Sequence, residues 1–515
     1  MADEMNAVID LGSNSVRVVI YEHGPSGTQK EIDTLKQSVR LTSHLDENNV
    51  ITETGIQLTV QVVGLFKQLC DSYGVVEIIG VATQAVRVAV NRDELLNRIF
   101  AETGIRFRVI TGEEEARYGY LAAVNSLPLE DGITVDVGGG STEITYFRQR
   151  NLIHYASIPY GAVSLTKEFT RNDPTPSKIL EAMNRAIENQ LDRYPWLEGL
   201  GCPVIGMGGT ARTVARVHQD RRKYPLKILH GYEMCPMEVT AMLDMVCSMP
   251  VKKRSKIGGL SGERADIIVA GIAILDQVLK RVRASKFVIS NKGLRDGILI
   301  EQVLRTRGEQ LLPDMLVHSI ANIHVHFHLD RQHAIQVWKL TGQLLSEMVK
   351  HNWLPDSSEM RRCLHVASML HDIGRTISIY NTRDHNFYLL LQVPLFGVSH
   401  RERLIAAAIT AFKSTKQTNR ALVSYQELLE DEDFTTITRL GVLLGLVKTL
   451  DRTSTGAVQS IDLLRDQGEW ILRVHAQKPL GLQLNLALEW LKEWRKVFQR
   501  EIRLEVDPFE QSLGV

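Results

Sequence analysis

Two stretches of the chain share one pattern. Asp10-Leu11-Gly12-Ser13-Asn14-Ser15 and Asp136-Val137-Gly138-Gly139-Gly140-Ser141 both have the form Asp, apolar, Gly, any, any, Ser, and they lie 126 residues apart. Each follows a short apolar run and precedes another, so each reads as a tight strand–turn–strand with an Asp closing the first strand. Glycine lets such a turn bring its N–H groups close to an anion, and successive N–H groups form an anion-binding nest. Ser13, Ser15, Ser141 and Thr142 add hydroxyl donors. Asp10 and Asp136 only accept, so beside a phosphate each needs a cation between, and a hard oxygen-seeking ion such as Mg²⁺ is suited to that. Glu143 stands seven residues after Asp136, across the turn and within reach of the same ion. A third cluster, Gly206-Met207-Gly208-Gly209-Thr210, opens a helix and offers free N–H groups and the positive dipole end. At Thr111-Gly112-Glu113-Glu114-Glu115-Ala116 another helix begins. Thr111 and Glu114 form a capping box, which accounts for Glu114 and leaves Glu115 without a local role.

The elements that must position these residues alternate through the first 300 positions. Val8–Ile9, Val16–Ile20, Val75–Ile79, Phe107–Ile110, Ile133–Val137, Ile144–Phe147, Val204–Met207 and Phe287–Ile289 are predicted strands. Between them, Glu53–Cys70, Arg92–Thr103, Glu113–Val124, Pro176–Tyr194 and Arg264–Arg281 have helical spacing, which is the signature of an α/β fold. From about 306 the pattern is helical (311–350, 357–373, 401–413 and 435–450). The end reads as a small α+β tail: strands at Trp470–His475, Gln483–Leu486 and Arg503–Val506, with a helix over Leu488–Glu501.

Bulk properties exclude several classes. The 515 residues carry 60 Lys+Arg and 60 Asp+Glu, so no global field recruits nucleic acid or a membrane surface. The five cysteines are scattered without a C-x-x-C pair, which excludes a zinc ribbon or disulfide framework and fits a reducing compartment. The N-terminus lacks a signal-peptide pattern and apolar runs are too short to span a bilayer, so a cytoplasmic location is expected.

Taken together the motifs resemble the exopolyphosphatase/guanosine pentaphosphatase (Ppx/GppA) family, within the actin-like superfamily. The matching segments are Ala7–Ser15, Ala82–Arg87, Thr111–Arg117, Val135–Glu143, Gly208–Thr210, Arg264–Asp266 and Gly293–Gly297. The resemblance implies two actin-like (ribonuclease H-like) α/β lobes, 1–128 and 129–305, then an all-α HD-like domain, 306–468, and the α+β tail, 469–515. It implies Glu115 as the base that activates water, with Glu114 as the less favoured neighbour, and Asp136 and Glu143 as the metal pair for Mg²⁺ or Mn²⁺. Asp10, Gly12, Ser13, Asn14, Ser15, Arg87, Gly138, Gly139, Gly140, Ser141, Thr142, Gly208, Gly209 and Thr210 are implied as phosphate-binding. Lys292, where relatives often differ, is a departure expected to leave the chemistry intact. The implied reaction is exopolyphosphatase hydrolysis: an in-line water, deprotonated by Glu115, releases orthophosphate from inorganic polyphosphate. The close alternative is removal of the 5′ phosphate of guanosine pentaphosphate; a kinase and a non-catalytic sensor of polyphosphate or guanosine tetraphosphate are the rivals from other classes. A homodimer is also implied.

A long polyphosphate needs further cations, for which Lys36, Arg40, Arg117, Lys252, Lys253, Arg254 and Lys256 are candidates. In the helical region the order His333, His371-Asp372, Asp451 resembles the HD phosphohydrolase domain. That resemblance implies a second divalent ion on these four residues, with His385 and His400 available to another, or else a retired fold that only supports the cleft. His324, His326 and His328 are expected on one helix as surface or interface residues.

Overall fold

The computed structural model describes residues 4–24, 27–169 and 173–507. The chain divides into two compact units, 1–315 and 316–515. Among the described residues of the first unit there are two sheets. One contains β1 (Glu4–Leu11), β2 (Ser15–His23), β3 (Gln29–Ser38), β4 (Glu77–Ala82) and β5 (Phe107–Val109), in the order β3-β2-β1-β4-β5. The other contains β6 (Gly132–Val137), β7 (Thr142–Arg148), β8 (Asn151–Ile158), β9 (Val204–Met207), β10 (Glu233–Met234) and β11 (Phe287–Ile289), in the order β10-β11-β9-β6-β7-β8.

The two sheets are copies of one plan. β1–β2 and β2–β3 are antiparallel while β1–β4 and β4–β5 are parallel. β6–β7 and β7–β8 are antiparallel while β6–β9 and β9–β11 are parallel, with β10 added at the edge. The repeated turn of the sequence therefore belongs to a repeated lobe. β3 and β8, which hydrophobic pattern does not announce, are edge strands. Eight of the ten residues of Gln29–Ser38 are polar and none is buried, so no alternation marks it.

Alternating strand residues feed different cores. Ala7, Ile9 and Leu11 of β1 pack with Ile56, Val60, Val63 and Phe66, the buried stripe of the helix Glu53–Ser72. Val8, Val19 and Val81 face the other way, into a core shared with Ile205, Met207 and Val288 of the second sheet. Tyr118, Leu121 and Val124 of the helix Gly112–Val124, and Ile298 and Leu299 of the helix Leu294–Arg307, fill the space between. This shared layer fixes the lobes face to face and aims the N-terminus of Gly112–Val124 at the gap between their turns.

In the second unit, helices including Arg331–Lys350, Ser358–Met369, His400–Ala411 and Asp431–Leu450 precede a sheet ordered β12-β13-β14: β12 (Val458–Asp466), β13 (Glu469–Ala476) and β14 (Arg503–Val506). This sheet begins at Val458, ahead of the expected boundary at 468. The expected strand Gln483–Leu486 lies instead in the helix Gly481–Phe498. Leu482, Leu484, Leu486 and Leu488 mimic a strand's alternation, but Leu482, Leu486 and Leu488 are exposed, while Gln483, Ala487 and Trp494 are buried at helical spacing. Among the described residues no helix is long and apolar enough to cross a membrane.

Candidate active site

The two repeated turns close identically. Gly12 N–H donates to the Ser15 carbonyl at 3.2 Å and Gly138 N–H to the Ser141 carbonyl at 3.0 Å. Their tips meet: a Cβ on Gly139 would stand 3.0 Å from Ser13 Cβ, and one on Gly140 3.3 Å from Ser13 Oγ. The third turn joins from β9. Gly208 has φ +71°, a conformation that favours glycine, and a Cβ there would collide with the Asp136 carboxylate. The helix Gly208–Arg222 has no side-chain N-cap, so its first N–H groups are left for the cleft.

These turns enclose a polar cleft of about 170 Å³. Of the expected residues, Asp10, Gly12, Ser13, Asn14, Ser15, Glu115, Asp136, Gly138, Gly139, Ser141, Glu143, Gly208 and Gly209 line it. Gly140, Thr142 and Thr210 do not: the Thr142 hydroxyl donates to the Tyr160 carbonyl at 2.7 Å, and Thr210 is buried against Gly271. Arg87, expected on the phosphate, stands behind the cleft. It donates to the Ile110 carbonyl at 2.6 Å, to Gln84 at 3.0 Å and to Glu115 at 3.3 Å, so it orients Glu115.

The two neighbouring glutamates separate cleanly. Thr111 N–H donates to Glu114 Oε2 at 2.8 Å and Glu114 N–H to Thr111 Oγ1 at 3.1 Å, and Glu114 also pairs with Arg108. Burial raises the Glu114 pKa, but these donors outweigh it and hold it below its ordinary value. Glu114 is thus a structural cap, which corrects its expected place as an alternative base. Burial, then the Glu143 carboxylate, push Glu115 well above the carboxylate range against the pull of Arg87.

Asp136 and Glu143 sit directly opposite in the β6–β7 register. Glu143 Oε1 accepts from Ser141 Oγ at 2.7 Å and Ser157 Oγ at 3.0 Å, yet burial carries its pKa up to about 7. Burial also raises Asp136 and Asp10. Four carboxylates in one small cleft disfavour one another's ionisation, and a cation among them relieves that. Their hard oxygen donors fit Mg²⁺ or Mn²⁺.

Opposite this acidic group stand arginines that sequence reasoning did not assign to the site: Arg17, Arg212, Arg264 and Arg295. Arg17 faces Asp10 across β1–β2, the place that Glu143 takes opposite Asp136. Burial, then Arg295 and Arg212, pull Arg17 down to about 10. Guanidinium groups gathered in one cleft suit a polyanion. Register was the signal: Arg17 lies seven residues after Asp10, as Glu143 does after Asp136. Of the channel candidates only Lys36 lines the cleft. Arg40 pairs with Asp266 and Arg117 with Glu301, Arg254 is buried against carbonyls, and Lys252, Lys253 and Lys256 are exposed. Lys292 pairs with Asp296 at 2.7 Å.

In the second unit His333, His371 and Asp372 lie together as a group able to hold a metal. His333 Nδ1 donates to Asp451 Oδ2 at 2.7 Å and His371 Nδ1 to the Ser368 carbonyl at 2.7 Å. Each Nε2 therefore keeps a lone pair, and the two are 3.2 Å apart. Two nitrogens on one ion at ordinary bond lengths are about 3.0–3.4 Å apart. Asp451 stands behind His333 rather than beside the other ligand atoms. Lys448 and Arg375 already pair with Asp372. His385 and His400 are not in this group, and His324, expected at the surface, is buried with Nε2 2.8 Å from the Met369 carbonyl.

Paired lobes of one topology, with turns and a helix N-terminus converging on carboxylates and arginines, define an actin-like protein built to handle phosphate. The chain belongs to the Ppx/GppA phosphatase family, whose profile matches residues 19–306; the family's domain III matches residues 317–494. Like that family, it is a hydrolase of phosphoanhydride bonds. A guanosine-5′-triphosphate,3′-diphosphate pyrophosphatase of Vibrio vulnificus is 26% identical over 408 residues, 78% of this chain and 79% of that one. Its Photobacterium profundum counterpart is 25% identical over 79% and 80%. The crystal structure of the Aquifex aeolicus Ppx/GppA family member is similar at 31% identity and TM-score 0.52, covering 59% of this chain and 98% of that chain. An exopolyphosphatase of Cytophaga hutchinsonii, at 24% identity and TM-score 0.55 over 60% and 99%, shares the fold.

Proposed function

We propose that the cleft is an exopolyphosphatase site that removes orthophosphate from the ends of inorganic polyphosphate. The observation that carries this reading is the lining: arginines and turn N–H groups surround the cleft, and among the described residues no aromatic ring lines it. Such a surface grips phosphates and presents no aromatic platform for a base. Asp136 and Glu143 would hold Mg²⁺ or Mn²⁺, which when bound would neutralise phosphate oxygens. Glu115, set by Arg87, takes a proton from water as its oxygen bonds to the terminal phosphorus. The bridging P–O bond breaks, and the shortened chain leaves with the electron pair. Amides at Gly139 and Gly209 and the arginines stabilise the developing charge.

The curated relatives favour a second reading, guanosine pentaphosphate as substrate. Phosphate release from both substrates, by wild type and Glu115→Gln, decides. Polyphosphate is expected to be the faster substrate, with turnover falling by about 10²–10⁴ in the variant. Preference for the nucleotide overturns the first reading, and activity surviving in Glu115→Gln overturns the base. The spacing of His333 and His371 also supports a second divalent ion in the other unit, expected as one bound metal lost in His371→Ala by elemental analysis.

A further inference from the structure

The second unit contains a cavity of about 960 Å³, lined in part by His371 and Asp372, that the phosphate cleft of the first unit does not use. Its long wall is the helix Asp431–Leu450 and the turn after it. Gly441, Leu444, Gly445, Lys448, Thr449 and Arg452 recur at intervals of three and four, so they form one stripe on one face. The chemistry changes along that stripe. At its start the two glycines press against rings: a Cβ on Gly441 would collide with Phe412, and one on Gly445 with Trp490. At its end lie Lys448 and Arg452, with Arg375 beside them through Asp372. From Gly441 to Lys448 the stripe rises about 10 Å at 1.5 Å per residue, and Arg452 lies in the turn beyond. The Gly445 end carries the Trp490 ring with the Arg383 guanidinium over it, and the other end is cationic alone.

The charge is not balanced from within. Lys448 and Arg375 share one carboxylate, Asp372. Arg383, Lys413 and Arg452 also line the cavity and make no ion pair among the described residues, and the Arg383 guanidinium lies over the Trp490 ring at 5.9 Å from its centroid. Of the remaining acids in the wall, Glu489 is paired with Lys492 at 2.7 Å, and Asp384 offsets part of the charge of its neighbour Arg383. Guanidinium groups match phosphate oxygens in pairs. The volume suits a bound small molecule.

We infer that this cavity binds a nucleotide, with the base beside the Trp490 ring and the phosphates at the Lys448–Arg452 end. A bare polyphosphate would use the cations and leave the ring end idle; an uncharged aromatic would do the reverse.

Calorimetric titration of the full-length chain with GDP and ADP, in a Glu115→Gln background that prevents turnover, tests this. One nucleotide per chain is expected. Adding Arg383→Gln with Arg452→Gln is expected to weaken binding at least tenfold. The same pair, in the otherwise wild-type chain, leaves phosphate release unchanged, which also shows that the variant is folded. Arg212→Gln, in the cleft of the first unit, leaves nucleotide affinity unchanged. The inference is overturned by no binding, by affinity unchanged in the paired variant, by loss of binding in Arg212→Gln instead, or by tripolyphosphate binding as tightly as either nucleotide.

Discussion

One step along a helix turns a side chain by about 100°, and at the start of Gly112–Val124 that step separates a cap from a base. Glu114 is spent on the Thr111 N–H and on Arg108; Glu115 faces the cleft. Glu114→Ala is therefore expected to cost about 1 kcal/mol of stability, as lost caps do, and to leave turnover within a few-fold. Denaturant unfolding and phosphate release measure the two, and turnover lost without a stability change would reverse the assignment. Arg17→Gln is expected to raise KM for polyphosphate about tenfold with a smaller effect on kcat, since the guanidinium binds and does not transfer protons. A fall in kcat at constant KM would place Arg17 on the reacting phosphate instead. Glu115 was legible because the capping box explained its neighbour and left it over. The arginines were missed: Arg17 repeats the spacing of Glu143 but not its residue type, and nothing local shows that Arg212, Arg264 and Arg295 meet in one cleft.

Turns and helix starts carry the rest of the site. The strand–glycine–strand pattern was readable because its requirements are local: an apolar strand, a residue free to turn, a second strand. What reading the chain could not supply was the neighbour that makes each glycine necessary. For Gly208 that neighbour is the Asp136 carboxylate, 72 positions away in sequence. Gly208→Ala meets both a left-handed backbone, costing about 1–2 kcal/mol, and a collision with a cleft carboxylate. It is expected to abolish phosphate release while lowering the melting temperature by only a few degrees; wild-type activity in that variant would show that Asp136 can move aside freely. Elements escaped detection where packing, rather than composition, defines them. The edge strand Gln29–Ser38 needs no apolar face, and Gly481–Phe498 hides a helical stripe under alternating leucines.

For the molecule as a whole, the buried carboxylates tie stability to pH. Glu143 is 3% exposed, and its pKa rises from 4.5 to about 7 on folding. A raised folded pKa means that the folded chain holds the proton more tightly. The contribution is then full below about pH 4.5 and is lost as pH climbs through about 7. At about 1.4 kcal/mol per pKa unit this is about 3 kcal/mol in the metal-free chain. Calorimetric melting without divalent ions is expected to fall by several degrees between pH 5.5 and 8.5, and Glu143→Gln is expected to flatten that slope. An equally steep slope in Glu143→Gln would assign it to other groups. The twofold plan of the first unit was visible in two six-residue echoes, whereas the second unit, without repeats, showed its helices but not where its sheet begins. The lobes differ most tellingly at one strand position, Arg17 in one and Glu143 in the other. Lobes of one strand order and one turn read as a duplicated ancestor. Two identical halves paired by symmetry would have faced their shared gap with two guanidinium groups or with two carboxylates, and so gripped an anion or a cation but not both. Carried on one chain, the two halves are free to differ at that position, and the gap is faced by a guanidinium from one and a carboxylate from the other.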